Sequence, residues 1–287
     1  MEFYLASTSH LEDRLWFRDD EDFKIGMNYV AVIAHLTGTP VLAFILMSNH
    51  VHFVLQGSHA KAEDFVLLFK QRYSAYIQHR YGIREMLRRN DVDLTPVGGE
   101  AESLEKAIAY VMMNSVAANI CAHPSQYPWG TGSLIFNQQS IQGKSLMDMS
   151  GRSRQRMLRS HVELPGNFRC SDTGYILPDS YVNIPFLESL FRTPKRLNWF
   201  LFNSSKAKAR LAQTDVSLPS FRDQSLCAAI PDLCNSLFRK NAFQELSKEQ
   251  KAQLVKELRR RFSSDPAQIA RVAGISYEET TQFLESF

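Results

Sequence analysis

FILMSNHVHFVLQG, residues 44–57, is the stretch that decides the fold. With Val41, Leu42 and Ala43 before it, the chain is apolar as far as Met47, too apolar for an edge strand. Ser48-Asn49 reads as a tight turn, and the alternating residues after it read as a second strand, so 41–56 predicts a buried β-hairpin. Residues i and i+2 of a strand share a face. His50 and His52 therefore project together, while Val51, Phe53 and Leu55 point to the opposite, wholly apolar side. Two adjacent imidazoles make two arms of a divalent-metal site. For a bare His-x-His, a pair of histidines with a structural task is the commoner outcome. Asn49 adds little to either reading, because Asn is an ordinary turn residue.

Working outward, EFYLAST (2–8) predicts a first strand. Asp19-Asp20-Glu21 opens a helix with Phe23, Met27, Val30, Ile33 and Ala34 at helical spacing, ending near Gly38. A second helix over 62–81 carries Phe65, Leu68, Phe69, Tyr76 and Ile77. NDVDLTPVGGE (90–100) is turn-rich and reads as a loop. A third helix runs from about Ser103 to about Cys121, stopped by Pro124 and Pro128. This order of elements predicts an α+β domain, compatible with a ferredoxin-like antiparallel sheet under helices, followed by a mainly α-helical C-terminal region. Residues 138–151 read as a linker.

The chain has 287 residues with 44% hydrophobic and 22% charged residues, which excludes disordered, collagenous and disulfide-framework classes. No apolar run approaches the ~18 residues of a membrane span. The N-terminus lacks a signal-peptide layout, and Cys121, Cys170, Cys227 and Cys234 lack CxxC spacing, so a cytoplasmic protein with reduced cysteines is expected. The net charge of +3 hides an asymmetry. Residues 1–136 carry 11 Lys/Arg against 15 Asp/Glu, and residues 137–287 carry 22 against 15. The excess lies in 144–210, with 12 basic residues against 5 acidic. It includes Arg152, Arg154, Arg156, Arg159, Lys195, Arg196, Lys206, Lys208 and Arg210. Such residues along one surface neutralise phosphates; a solvated surface is the plain alternative.

Tyr110 and Asn114, four apart on the third helix, stack on one helical face. A tyrosine hydroxyl can act as a covalent nucleophile and an amide oxygen as a metal ligand. For Tyr110 taken alone, a helix tyrosine packed against the sheet is the commoner outcome. Tyr73, Tyr76 and Tyr81 on the second helix are rival nucleophiles, without an Asn four residues on.

FILMSNHVHFVLQG, the helix after it, and AYVMMNSVAANICAHPSQYPW (109–129) together resemble the IS200-like, or Y1, transposases, nearest the REP-associated tyrosine transposases. That family has a hydrophobic strand ending Met-Pro-Asn-His-x-His, here 47–52, and a helix with Tyr-Ile-x-x-Asn-Pro-Val, here 110–116. Tyr127-Pro128-Trp129 resembles its closing Tyr-x-Trp-Ser. The resemblance covers roughly 1–136. It implies that His50 and His52 hold Mg²⁺ or Mn²⁺, with Asn114 as a further ligand, and that Tyr110 is the nucleophile of a single-stranded or hairpin DNA transposase. It also implies a homodimer and no membrane partner. Ser48 and Ser115 stand where the family has proline, and no Trp-x-x-Arg-Phe motif lies between 82 and 100.

The resemblance divides the chain into a catalytic domain (1–136), a basic, mostly helical region (137–245), and a C-terminal region (246–287). In the last, Ser264 or Asp265 with Pro266, then Gly274, then Ser276 with Glu279, punctuate two helices that look like a helix-turn-helix. Lys70, Arg72, Arg80, Arg152, Arg154, Arg156, Arg159, Lys195, Arg196, Arg259, Arg260 and Arg271 are the candidate DNA contacts. Trp199, Phe200 and Phe202 can stack on bases, although their apolar neighbours favour a helix core. A non-cleaving DNA-binding protein of the same fold and a metal-dependent nuclease without a covalent intermediate are the competing functions.

Overall fold

The computed structural model describes residues 1–8, 15–83, 93–137, 142–204, 221–262 and 264–285. The apolar run and its turn form the expected hairpin. Strands β2 (Val41–Leu46) and β3 (Val51–Gln56) pair antiparallel, and the Met47 N–H donates to the His50 carbonyl at 2.8 Å to close the turn. Strand β1 (Phe3–Ser7) pairs antiparallel with the other edge of β3, setting Ser7 opposite His52. A fourth strand, β4 (Asp93–Pro96), pairs with β1, so the sheet order is β2-β3-β1-β4. β4 lies where the sequence predicts a loop. A short, mostly exposed edge strand carries no alternating apolar pattern, and only its pairing with β1 makes it a strand.

Helix α1 (Asp20–Thr37) connects β1 to β2. The Asp19 carboxylate accepts from the Asp22 N–H at its start, and Gly38, at φ 60°, takes the left-handed turn at its end. Helix α2 (His59–Tyr81) connects β3 to β4, capped by Ser58 and ended by Gly82 at φ 69°. Both helices pack on the side of the sheet to which Phe53 points: its ring meets Phe65 at 5.2 Å and Phe69 at 5.3 Å.

Helix α3 (Ser103–Met112) packs on β2 and β3 and, through Tyr110, against His52 on the opposite side of the sheet. The predicted single helix to Cys121 is broken at Met113 and resumes as one turn, α4 (Asn114–Ala117). The outer edge of β2 is covered by 129–131: the Leu46 N–H donates to the Trp129 carbonyl at 2.9 Å and the Thr131 N–H to Phe44 at 3.0 Å. Gly130 makes that approach possible, because a Cβ there would sit 2.6 Å from the Phe44 carbonyl oxygen. We expect Gly130→Ala to push the segment off the strand and cost about 1–3 kcal/mol, read as a lower urea midpoint.

The first part of the region after 136 shares the core of the sheet. After the small strands β5 (Lys144–Ser145) and β6 (Arg169–Cys170) and helix α5 (Gly151–Leu158) come α6 (Ile184–Phe191) and α7 (Pro194–Asn203). Leu187, Phe191, Leu197, Phe200 and Leu201 join the same core as the sheet. Leu146, Leu158 and Ile176 bury Ala31 and Val32 on α1. The change of charge near 136 therefore does not mark a break in the core. Helices α8 (Asp223–Phe238), α9 (Lys248–Phe262), α10 (Pro266–Ala273) and α11 (Tyr277–Glu285) form a second core around Ile230, Leu254, Leu258, Ile269 and Phe283. The predicted caps of α10 and α11 are in place: Asp265 accepts from Gln268 N–H, Gly274 is left-handed, and Ser276 accepts from Glu279 N–H. The four cysteines are free thiols.

Candidate active site

His52 sits mid-sheet at 2% exposure, with Ser7 and Ile45 as its strand partners. His50 lies just before β3, on the turn, half-buried. The two imidazoles meet edge to face with centroids 4.9 Å apart, as their i, i+2 spacing predicts. Asn49, undervalued as an ordinary turn residue, is 7% exposed, and its amide oxygen lies 2.9 Å from His50 Nδ1. An amide oxygen only accepts, so His50 Nδ1 carries the proton and the lone pair of the neutral ring is on Nε2. A ligating histidine ordinarily has its second nitrogen held in this way. The recognisable signal was an Asn adjoining the first of two paired histidines.

Tyr110, half-buried on α3, lays its ring edge to face against His52 with centroids 5.6 Å apart. Residues 58 positions apart in sequence thus share one small surface, since β3 and α3 face each other. Asn114, 3% exposed, donates from Nδ2 to the carbonyls of Tyr110 at 2.9 Å and Val111 at 3.1 Å. Its side chain takes up carbonyls where α3 breaks, so the helix ends here without a proline. Ser115 is buried and accepts from Cys121 Sγ at 3.3 Å. Any coordination by Asn114 is left to Oδ1.

The rival tyrosines lie in the other layer and are occupied. Tyr73 is fully buried and donates to the Trp16 carbonyl at 2.7 Å; burial first, then the Asp22 charge, pushes its hydroxyl well above an ordinary phenol. Tyr76 donates to Asp22 Oδ1 at 2.7 Å and Tyr81 to Asp22 Oδ2 at 3.0 Å. Burial followed by Asp22 raises both hydroxyls too. A phenol held protonated this way is a poor nucleophile.

Several predicted DNA contacts have internal partners. Arg80 pairs with Asp19 at 2.6 Å and with buried Asp22, and also bonds Tyr76. Lys70 is 4% exposed, and Arg72 donates to Ser160 at 3.4 Å. Arg196 pairs with Glu102 at 2.8 Å and Glu105 at 3.3 Å, pinning α7 to α3. Arg260 pairs with Glu257 at 2.8 Å. Arg271 pairs at 3.3 Å with Asp223, a 5%-exposed carboxylate that also accepts from Ser48 Oγ at 2.6 Å and Gln268 Nε2 at 2.9 Å. Ser48, in place of the family's proline, thus ties the turn before His50 to the C-terminal helices. Arg271 is turned toward this contact, and α11 exposes Tyr277, Glu278, Gln282 and Glu285, a poor face for phosphates.

Arg152, Arg154, Arg156, Arg159, Lys195 and Arg259 keep outward positions. Arg152, Arg156 and Arg159 line a cleft of about 940 Å³ with Glu21, Thr173 and Gly174. Because α5 packs on α1, that cleft belongs to the layer across the sheet from His52. Lys206, Lys208, Arg210 and residues 84–92 of the 82–100 segment lie outside the described residues.

No family model matches the chain, and no curated protein matches it. Among solved structures, a REP-associated tyrosine transposase bound to a REP hairpin is similar over 60% of this chain and 93% of that one, at 11% identity and a TM-score of 0.34. Among the described residues, no helix is long and apolar enough to cross a membrane.

Proposed function

We propose that the chain is a metal-dependent, single-stranded DNA transposase of the REP-associated tyrosine type, built on a ferredoxin-like sheet. The β-α-β-β-α-β order, with β3 set between the parallel β1 and β2, supports the sheet assignment. The observation that carries the activity is Tyr110 against His52, which in turn meets His50, while the other candidate tyrosines are held by Asp22 and Trp16.

The donor set fits one cation. Imidazole centroids 4.9 Å apart suit two nitrogens on a single ion, and Asn49 orients His50 for it. Among the described residues no cluster of three His, Cys, Asp or Glu assembles, so the donors described are the two imidazoles with the Asn114 amide oxygen beside Tyr110. Such a set favours Mn²⁺ over Mg²⁺. When bound, the ion polarises the scissile phosphate. Tyr110 Oη attacks phosphorus, the bond from phosphorus to the 3′ oxygen breaks, and that oxygen leaves as a hydroxyl after taking up a proton. The downstream strand keeps its 5′ phosphate, now esterified to Tyr110, and reversal of the step rejoins strands without ATP.

The test is a hairpin-bearing oligonucleotide labelled at its 3′ end. We expect a labelled protein band on a denaturing gel with Mn²⁺, less with Mg²⁺, and none with EDTA. Cleavage with no covalent band identifies a nuclease, and binding without cleavage identifies a DNA-binding protein; either result removes the transposase reading.

A further inference from the structure

The active-site proposal leaves one aromatic surface unused. On α7, Leu197, Phe200 and Leu201 are buried in the main core, whereas Trp199 is 55% exposed and Phe202 57% exposed. Lys195, Trp199 and Phe202 stand at i, i+4 and i+7, so they form one stripe on the outer face. Helix α7 contains no acidic residue, and Asn198 beside the stripe is exposed as well. The remaining cation of the helix, Arg196, is held by Glu102 and Glu105, which fixes α7 onto the helix that carries Tyr110. Phe200 meets Trp199 edge to face at 4.9 Å, bracing the indole from the core side. The arginine cleft beside α5 lies across the sheet, but this stripe belongs to the layer of Tyr110.

We propose that the Lys195–Trp199–Phe202 face is a stacking platform for single-stranded DNA. Residues three apart on a helix hold their Cβ atoms about 5–6 Å apart, so two bases of one strand can stack in succession. Lys195 at the end of the stripe meets the backbone phosphate. The absence of carboxylates on the helix distinguishes this surface from the acidic face of α11, and an extended polyanion with exposed π-faces complements both its charge and its rings. The inference rests on the reading of the chain as acting on single-stranded DNA, but it requires no cleavage.

The chain has three tryptophans, of which Trp16 is fully buried and Trp129 is 5% exposed. All three indoles emit, but of them only Trp199 is open to a stacked base, so quenching on DNA binding reports on Trp199. In EDTA, titration with a short dT homopolymer should quench this emission, and heparin of matched charge should not. By anisotropy of labelled DNA, Phe202→Ala should weaken binding about tenfold and Trp199→Ala with Phe202→Ala about a hundredfold, while Trp199→Phe retains most of the affinity. Unchanged affinity in the double variant, or equal quenching by heparin, overturns the proposal. So does a double variant that converts a dimer to a monomer by light scattering without altering DNA affinity, which would make the face a contact between copies. Expected dT binding without any covalent band on hairpin DNA leaves the platform standing and removes the transposase reading alone.

Discussion

Tyr110→Phe should abolish the covalent protein–DNA band and lower hairpin cleavage by about 10³-fold or more, while leaving affinity for the same DNA almost unchanged. The substitution removes one oxygen from a half-buried ring and keeps the edge-on contact with His52, so it deletes the nucleophile without a packing cost. Tyr73→Phe provides the contrast. Its hydroxyl is bonded to the Trp16 carbonyl in the layer across the sheet, and its loss should leave the covalent band intact at a small cost in stability. His52→Ala should also remove the band. His50→Ala should do so as well, and Asn49→Ala should keep the band but raise the Mn²⁺ concentration it needs by about 10–100-fold, since Asn49 acts by orienting His50. A cleaving, band-forming Tyr110→Phe variant would end the assignment.

Arg80→Met should destabilise the fold by about 3 kcal/mol, seen as a lower urea midpoint at constant slope. The Asp22 side chain is fully buried and receives Arg80, Tyr76, Tyr81 and the Arg18 N–H. Removing the guanidinium leaves the carboxylate with hydrogen bonds but no counter-charge, which is what makes a broken buried pair expensive. Arg80 itself is 28% exposed, so water recovers part of the loss, and the figure is at the low end of such effects. If Arg80 were a surface contact to DNA, the same substitution would reduce affinity and salt sensitivity and leave the urea midpoint in place.

The hairpin, the caps of α1 and α10, and the shared direction of His50 and His52 were legible because each depends on residues within a few positions of one another. A two-residue period sets the faces of β3, and a left-handed glycine ends a helix wherever the chain carries it. The pairing of Tyr110 with the histidines was accessible only through a family resemblance, since nothing local to either segment joins them.

Three matters were decided by tertiary structure. The segment 93–96 becomes a strand because β1 offers an unpaired edge, although its own residues read as a turn. The charge reversal near 136 marked no boundary, because the apolar faces of α6 and α7 complete the core that the sheet begins. The basic residues separated into different duties: Arg80, Arg196 and Arg271 found carboxylates far away in sequence, at Asp22, Glu102 and Asp223, while Arg152, Arg156 and Lys195 stayed outward. By itself the sequence determined which groups carry charge and which segments must hide apolar faces. Whether a cation meets a carboxylate or a phosphate depends on what folding brings within about 4 Å, and that distance exists only in the assembled layers.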